Sequence, residues 1–282
     1  MGLELGLQLY SVRQALQNDA VKTLEQVAEI GYRHLELAIH KIEAEYSVGG
    51  LNAAELKRHL GRLGMDTVSC HAMVQENDNL EDLFDFLEAV GSPTFVVPMG
   101  IFSNREEVLS FSDRLNRYGE AARKRGIDFY YHNHFQEFQV FEGEKILDTI
   151  LNNTDPDLVK IELDTYWTVR GGEDPIHWLH KLGKRCDLIH QKDLPASATP
   201  VNYFDLYGAD TQITMDIMYK TQIPEQFTES GEGILDITGY IDTIRSLGHP
   251  KYIFVEQDMT SRGELESIAI SYRNMTKLLS EG

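Results

Sequence analysis

Two histidines at the end of a predicted strand are the first residues that could do chemistry. In "FYYHNHFQEF", residues 129–138, an apolar run ends in His132 and His134, and Glu137 follows three residues later. Residues two apart in a strand face the same side, so both imidazoles can point inward. Because imidazoles bind divalent metals and titrate near neutral pH, this strand end predicts an active-site wall.

Three later stretches also place an ionisable side chain directly after apolar residues. They are "IELDTYW", "LIHQKDL" and "IFVEQD", which contain Asp164, His190 and Glu256. With a fourth group from the preceding strand they form a mixed nitrogen and oxygen set, which suits a divalent metal. Since burying several charges together without a counter-ion would be costly, the pattern predicts one ion at this point: manganese first, with zinc, cobalt or magnesium as alternatives.

The fourth ligand has more than one candidate. We expect His134 to bind the metal and His132 to act as an acid or base on the substrate side. Glu137 could instead curl back from the loop and supply the ligand. In a purely structural alternative, one of the two histidines only ties down the loop through hydrogen bonds.

Polar side chains at the other strand ends predict the rest of the site. We expect Gln8, Glu36, His71 and Asp258 to line a substrate pocket. Lys192 lies two residues after His190 and therefore on the same face, where it could supply a positive charge to an oxyanion. An ion pair between Lys192 and Asp193 or Asp258 is an equal structural alternative.

The elements that must position these residues alternate along the chain. Short apolar runs alternate with longer amphipathic ones, which is typical of βα units on a parallel sheet. Eight strands are predicted, at Glu4–Leu9, His34–Ala38, Thr67–His71, Thr94–Pro98, Ile127–Asn133, Val159–Asp164, Leu188–Gln191 and Tyr252–Gln257. In a (β/α)8 barrel the active site gathers at the carboxyl ends of such strands, where the candidate residues lie.

One junction recurs along the sequence. "EIGYRHLEL", "RLGMDTVSC", "AVGSPTFVV", "KRGIDFYYH" and "SLGHPKYIFVE" each run from a helix end through a glycine into a strand. Five copies favour a single α/β domain over residues 1–282, closed into one (β/α)8 TIM barrel. The exception is 194–232, a long insertion after the seventh strand that we expect to be a lid or an oligomer interface.

Composition limits the partners. The chain has 282 residues, 42% of them hydrophobic, and 45 acidic against 26 basic side chains give a net charge of −19. That charge argues against binding to nucleic acid or to an anionic membrane. Two cysteines far apart in the chain indicate neither a disulfide framework nor a cysteine-rich metal site. The chain shows no basic leader before a long apolar run, so we expect a cytoplasmic protein. We also expect it to form a homo-oligomer.

The motifs resemble a known family. "GLQLYSVR", "HNHFQEF", "LDTYW" followed by "GGEDP", "HQKD", the "GEG" turn at Gly231 to Gly233 and "VEQD" are similar to the xylose isomerase-like TIM-barrel superfamily. They resemble in particular its sugar phosphate isomerase/epimerase branch, which includes inosose dehydratase-like proteins and AP endonuclease family 2. The resemblance implies one divalent metal bound by strands five to eight, with His134, Asp164, His190 and Glu256 as ligands.

The resemblance also implies a reaction. It suggests a sugar isomerase or epimerase that removes a proton next to a carbonyl, with Glu256 serving as both ligand and base. An inosose dehydratase-like or keto-glycoside lyase activity and a non-catalytic sugar-binding or assembly barrel are the alternatives. Trp167 stands where some sugar isomerases have a histidine, and an indole there predicts a stacking wall for a sugar ring. Since no glycine-rich phosphate loop is present, an unphosphorylated sugar or inositol-type substrate is expected.

Overall fold

Eight parallel strands form a closed barrel in the computed structural model, which describes residues 2–42, 45–75 and 78–281. The barrel strands are β1 (Glu4–Gln8), β2 (His34–Ile42), β3 (Asp66–Ala72), β4 (Thr94–Val97), β5 (Asp128–His132), β6 (Lys160–Asp164), β7 (Leu188–Gln191) and β8 (Tyr252–Val255). Each strand pairs with its neighbours in the chain, and β1 pairs with both β2 and β8, which closes the sheet. The predicted (β/α)8 barrel is confirmed.

Helices surround the strands. The α-helices are Arg13–Asn18, Ala20–Ile30, Ala53–Leu63, Leu80–Val90, Arg105–Lys124, Ile146–Asn152, Thr165–Arg170, Pro175–Leu182, Tyr203–Tyr207, Met215–Thr221, Ile237–Leu247 and Glu264–Ser280. Several begin at an Asp or Asn whose side chain accepts a backbone N–H of the first turn, as at Asp19, Asn52 and Asn104. Within the described ranges, no helix is both long and apolar enough to cross a membrane.

The recurring glycine junction is confirmed. Gly31, Gly64, Gly91, Gly126 and Gly248 all have positive φ, between 65° and 126°. Residues with a Cβ rarely adopt this conformation, whereas glycine adopts it readily at the end of a helix. One short sequence signal therefore turns the chain from helix to strand at five places around the barrel.

Strand β2 extends beyond its predicted end. It was expected to stop at Ala38 but continues to Ile42, because the short strand Glu45–Ser47 pairs with it in antiparallel orientation. A second small hairpin, Val140–Phe141 with Glu144–Lys145, follows β5. Glu45–Ser47 joins the sheet beside β2, and the hairpin after β5 forms a separate two-stranded sheet, so neither changes the closure of the barrel through β1.

The lower half of the barrel interior is apolar. Its side chains come from five strands and form one buried cluster: Val68, Val96, Tyr130, Leu188 and Phe254. Gly6 on β1 leaves room for this cluster, because a Cβ at that position would overlap the Phe254 ring. This cluster, the barrel floor, supports the polar side chains above it; the Phe254 ring lies 6.0 Å from that of His190 in an edge-on arrangement.

The 194–232 segment connects β7 to the helix Ile237–Leu247. It contains the helices Tyr203–Tyr207 and Met215–Thr221 and packs on a buried aromatic cluster that includes Phe135, Tyr166, Trp167, Tyr203 and Phe227. Arg170 is also buried beneath it; the guanidinium lies 3.7 Å from the Tyr203 ring centre and donates to Gln226 Oε1 at 2.7 Å. The segment is thus ordered against the barrel, while its predicted status as an insertion and its role as lid or interface stay predictions.

Asp193 fixes both ends of this segment. Its carboxylate accepts the backbone N–H groups of Leu194, Gly231, Gly233 and Leu235, at 2.8 to 3.2 Å. A side chain at Gly233 would overlap the Asp193 carboxylate, which explains the glycine of the "GEG" turn. Asp193 therefore binds the backbone at both ends of the segment and is not the partner of Lys192 that one alternative predicted.

Two glycine-to-alanine substitutions should have opposite effects on stability. Gly6→Ala inserts a methyl group into the barrel floor and should lower the free energy of unfolding by about 1–3 kcal/mol. Gly61→Ala, in a helix where an added Cβ meets nothing within 4 Å, should raise it by about 0.5–1 kcal/mol. Urea unfolding of both variants beside the wild type measures the difference; equal stability of the two variants would contradict the packing of Gly6 against Phe254.

Candidate active site and metal centre

Ten polar side chains gather at the carboxyl end of the barrel. They come from seven of the eight strands or the residues directly after them: Gln8, Glu36, His71, His132, Glu162, Asp164, His190, Lys192, Glu256 and Asp258. Each is almost completely buried, with at most 8% of its surface exposed. A buried group of this size must satisfy its charges internally, so its contacts decide what the site can bind.

Three imidazoles surround one carboxylate in the deeper part of this group. Glu162 Oε2 lies 2.6 Å from His71 Nε2, 3.3 Å from His132 Nδ1 and 3.3 Å from His190 Nε2. Glu36 joins them, with its Oε2 2.5 Å from His190 Nε2 and 3.1 Å from His71 Nε2. The rings of His71 and His190 stack at 5.1 Å, which makes this a rigid, tightly packed cluster.

A second set lies towards the carboxyl ends of strands β5 to β8. The ligand-type atoms of His132, Asp164, His190 and Glu256 all lie within 4.8 Å of one another. His132 Nε2 is 3.8 Å from Asp164 Oδ2, and His190 Nδ1 is 2.9 Å from Glu256 Oε2. We call this set the upper cluster. The deeper set of His71, His132, Glu162 and His190 meets the same distance criterion.

Asp164 is positioned by the turn from β6 into the next helix. Its Oδ1 accepts the backbone N–H of Trp167 at 2.8 Å, so it caps the helix Thr165–Arg170, and its own N–H donates to Asn133 Oδ1 at 3.1 Å. The other oxygen, Oδ2, is left free to face Lys192 at 2.5 Å. The helix start therefore fixes the orientation of this carboxylate.

Lys192 lies among three carboxylates. Its ammonium contacts Asp164 and Glu256 directly and lies 3.7 Å from Asp258 Oδ1. Burial would lower the pKa of Lys192, but these carboxylates outweigh it and hold the pKa above its ordinary value. Burial would likewise raise the pKa of Glu256, yet Lys192 and His190 hold it well below its ordinary value. Both side chains are therefore charged at neutral pH.

The imidazoles differ in charge. Burial lowers the pKa of His71, but Glu36 and Glu162 reverse this effect and raise it to about 9. Burial also lowers the pKa of His190, but the neighbouring carboxylates outweigh it and raise this pKa well above its ordinary value. For His132, burial and the neighbouring imidazoles both act downward, so its pKa is well below the ordinary value and the ring is neutral.

These residues fit a divalent metal ion. In the described parts of the chain, the ion-pair partners of these five carboxylates are Lys192 and three imidazoles, so the site can accommodate additional positive charge. Three buried atoms, His132 Nδ1, Glu36 Oε1 and Glu162 Oε1, have no hydrogen-bond partner. A mixed set of imidazole and carboxylate donors is what manganese, zinc or cobalt accept. The upper cluster and the deeper set both offer these donor types, and His71 or His190 would release its proton on binding an ion.

A cavity of about 290 Å³ opens above the upper cluster. Of the predicted site residues, those that line it are Gln8, His71, His132, His134, Glu256 and Asp258. Residues of the 194–232 segment, among them Met215 and Tyr219, form part of its wall. A small molecule in this cavity would therefore contact the imidazoles and carboxylates below and the segment above.

Five predicted site residues do not line the cavity: Glu36, Asp164, Trp167, His190 and Lys192. Glu36 is fully buried and bonded to His190. Lys192 is enclosed by the carboxylates of Asp164 and Glu256 and does not line the cavity. Trp167 has no exposed surface and packs in the aromatic cluster beneath the segment, so it is not a stacking wall for a sugar ring.

The two strand-five histidines have different surroundings. His132 belongs to both sets of ligand-type atoms, whereas His134 belongs to neither. The His134 ring lies 5.1 Å from that of His132 and 5.2 Å from that of Trp167, at the side of the cavity. The reason is that β5 ends at His132, so the chain has left the strand geometry before it reaches His134.

Glu137 does not turn back towards the cluster. Its Oε1 accepts the Tyr131 hydroxyl at 2.5 Å, and its Oε2 accepts the His134 N–H at 2.8 Å. The carboxylate therefore ties the loop after β5 to the outer face of that strand. Burial raises the pKa of Glu137 to about 7.

Glu162 was missed by the sequence analysis. It is fully buried and contacts all three imidazoles of the deeper set. The signal was present, because Glu162 lies two residues before Asp164 in "IELD" and therefore shares its face of the strand. A charged residue inside an apolar strand, in register with a candidate ligand, would have identified it.

The raised pKa of Glu137 predicts a pH-dependent stability difference. A carboxyl group whose pKa is raised on folding stabilises the folded state below its unfolded value of 4.5, and this contribution is lost as the pH rises through about 7. As the pH rises from 4.5 to 8, the free energy of unfolding of Glu137→Gln should therefore increase relative to that of the wild type by about 2–3 kcal/mol. Urea unfolding of both proteins across this range measures the gap; a gap that stays constant would contradict the buried, protonated carboxyl.

A family model matches most of the chain. The model described as "Xylose isomerase-like TIM barrel" matches residues 24–275. A curated relative named inosose dehydratase, from Lacticaseibacillus casei, is 26% identical over 191 residues, which are 62% of this chain and 60% of the relative. The chain thus spans less than two thirds of the length of that relative.

Solved structures share the fold over nearly the whole chain. A sugar phosphate isomerase/epimerase from Parabacteroides distasonis has a TM-score of 0.73 and 23% identity, with 98% of each chain covered. The IOLI protein, whose structure holds a zinc atom, has a TM-score of 0.71 and 14% identity, with 99% of each chain covered. Together with the family match over residues 24–275, the closed barrel places this protein in the xylose isomerase-like TIM-barrel family.

Proposed function

We propose that the protein is a divalent-metal-dependent enzyme that removes a proton next to a carbonyl group of a sugar or related polyol. The observation that carries this proposal is the upper cluster of His132, Asp164, His190 and Glu256 directly below a cavity of about 290 Å³. Burial, mixed donor types and access to a small molecule are together what metal-assisted proton transfer requires.

The upper cluster is the better of the two candidate metal sites. Two members of each set line the cavity, so an ion in either could meet a substrate. The deeper set contains two imidazoles, His71 and His190, whose pKa is raised by carboxylates, whereas the upper cluster contains only His190. Because a protonated ring cannot bind a metal ion, the deeper set is the poorer site. When bound, a divalent ion supplies Lewis-acid stabilisation to the oxygens of an enediolate. We propose His132 in place of the predicted His134 as the strand-five ligand, because only His132 reaches the other three donors.

The remaining residues orient and move protons. Glu256 faces the cavity at the end of β8, so we propose it as the group that accepts the substrate proton. Lys192 acts as a positioning residue that fixes Asp164 and Glu256. Gln8, His71, His134 and Asp258 line the cavity and can hydrogen-bond the hydroxyl groups of a polyol.

The same site serves several outcomes. Return of the proton to the neighbouring carbon is isomerisation, return to the opposite face is epimerisation, and expulsion of a group at the β-carbon is dehydration or lyase chemistry. We propose a sugar isomerase or epimerase. An inosose dehydratase-like or keto-glycoside lyase is the second candidate, and the name of the curated relatives favours it. A non-catalytic sugar-binding barrel is the third.

Localisation and assembly belong to the same proposal. We propose a cytoplasmic protein that forms a homo-oligomer and binds no nucleic acid, which the net charge of −19 supports. Of the large hydrophobic residues that are exposed, six lie between residues 201 and 234: Val201, Leu206, Met215, Tyr219, Ile223 and Ile234. An apolar surface of this kind suits contact with a second subunit as well as closure over a ligand.

Metal titration of single variants tests the ligand assignment. We expect about one equivalent of Mn²⁺ or Zn²⁺ on the wild type and an affinity lowered by about 10–100-fold or more in Asp164→Ala, His190→Ala and His132→Ala. His134→Ala and the exposed His177→Ala should keep wild-type affinity. Equilibrium dialysis with elemental analysis gives the numbers. Loss of metal in His134→Ala with retention in His132→Ala would instead restore the ligand set that the sequence predicted.

Proton exchange in heavy water tests the reaction. Metal-loaded protein should exchange the proton next to the carbonyl of a ketose, an inosose or a 3-keto-glycoside, as observed by NMR. Glu256→Gln should slow this exchange by about 100-fold or more, whereas the exposed Glu225→Gln should not change it. Bound metal without exchange in all three substrate classes would refute the enzyme and favour the sugar-binding barrel.

A further inference from the structure

The cavity has two chemically different halves. Its inner half carries the imidazole and carboxylate groups described above, whereas methionines dominate its outer half. Five of the eight methionines of the chain line this one cavity: Met73, Met99, Met215, Met218 and Met259. We call these five residues the methionine rim.

The methionine rim is assembled from separate parts of the chain. Met73 follows β3, Met99 follows β4, Met259 follows β8, and Met215 and Met218 belong to the helix Met215–Thr221. The remaining outer wall adds the side chains of Ile39, Pro98 and Tyr219. Methionine side chains are flexible and polarisable, so they adapt their shape to an apolar ligand.

Much of this apolar surface is open to solvent. The exposed fraction of the residue is 55% for Met73, 39% for Met215 and 67% for Tyr219. Exposed large hydrophobic residues that form a connected patch usually mark a binding surface. Here the patch continues directly into the polar half of the cavity, so one ligand would cover both.

A bare sugar does not match this arrangement. Its hydroxyl groups surround the ring, and those directed at the methionine rim would lose water without gaining a hydrogen bond, which is costly for a buried polar group. The other polar groups of the wall are the exposed His40 ring, the Tyr10 and Tyr219 hydroxyls and the Arg13 guanidinium, which already donates to the backbone carbonyls of Tyr10 and Asp258. Towards the floor, by contrast, Gln222 offers an unpartnered Oε1 and Asp258 a carboxylate.

We propose that the substrate is a glycoside whose sugar lies on the polar floor and whose apolar aglycone, aromatic or alkyl, lies against the methionine rim. This inference rests on the proposed function for the identity of the sugar half and adds the nature of the other half. The methionine rim is then the specificity-determining surface, and binding of the aglycone covers the exposed faces of Met73, Met215 and Tyr219.

Paired glycosides test the inference by isothermal titration calorimetry on the metal-loaded protein. The probes are the methyl and phenyl glycosides of glucose, galactose and xylose, each in both anomeric forms. Within at least one pair, the phenyl glycoside should bind at least about tenfold more tightly than the methyl glycoside, since apolar contacts of this size change affinity by that factor.

The double variant Met73→Gln/Met215→Gln should abolish this preference, so that the phenyl and methyl glycosides of each pair bind with equal affinity. Both side chains are partly exposed and of similar length to glutamine, so the fold should tolerate the change, and a thermal unfolding curve verifies it. Leu206→Gln, an exposed leucine of the same segment that does not line the cavity, is the matched control and should keep the preference.

Several outcomes would overturn the aglycone site. They are equal affinity within every pair, a preference that persists in the double variant, or no binding of any probe with a Kd below about 10 mM. The proposed function fails separately, through absence of metal binding or of proton exchange. Exchange on an unsubstituted sugar without a phenyl preference would refute only the aglycone site.

Discussion

The balance of buried charge at the carboxyl end of the barrel is the constraint on which the rest of the structure depends. Five carboxylates are enclosed with one ammonium and three imidazoles, and water contributes little to their solvation. Lys192 compensates Asp164 and Glu256, while His71 and His190 compensate Glu36 and Glu162. Removing one partner would leave the other charged and buried, which is among the costliest changes in a protein.

This charge balance explains why the layers of the barrel are so different. The floor is apolar and tightly packed, so that Gly6 has no side chain beside Phe254, and it holds the polar layer at a fixed height. The polar layer in turn directs donor atoms from β5 to β8 towards one point. A site built on strands in this way is more rigid than one built on loops, which favours both metal binding and proton transfer.

The 194–232 segment contributes the second physical contrast. Asp193 fixes its two ends, and Trp167 and Arg170 support it from below, so its methionines reach the cavity from a defined direction. A charged floor and an apolar upper wall therefore face the same small volume. A ligand that satisfies both must itself have a polar and an apolar end. This requirement restricts the range of possible substrates more than the metal site does.

The sequence alone determined the barrel and the ligand types of its site. Period-two apolar runs, helix caps and five glycine junctions are local signals, and each acts through the backbone of a few residues. All strands except β2 could therefore be predicted to within two residues of their ends. The same locality placed Asp164, His190 and Glu256 at strand ends, where the parallel sheet had to bring them together.

Only the tertiary structure decided which neighbouring side chain takes each role. β5 stops at His132, so His132 and not His134 joins the cluster; Glu137 bonds to Tyr131; Trp167 turns into the aromatic core; and Glu162 enters the deeper set. Within the described parts of the chain, the methionine rim also exists only in three dimensions. The physical reason is that a strand end fixes the residue type by its backbone, whereas side-chain direction and contact depend on packing between residues far apart in the sequence.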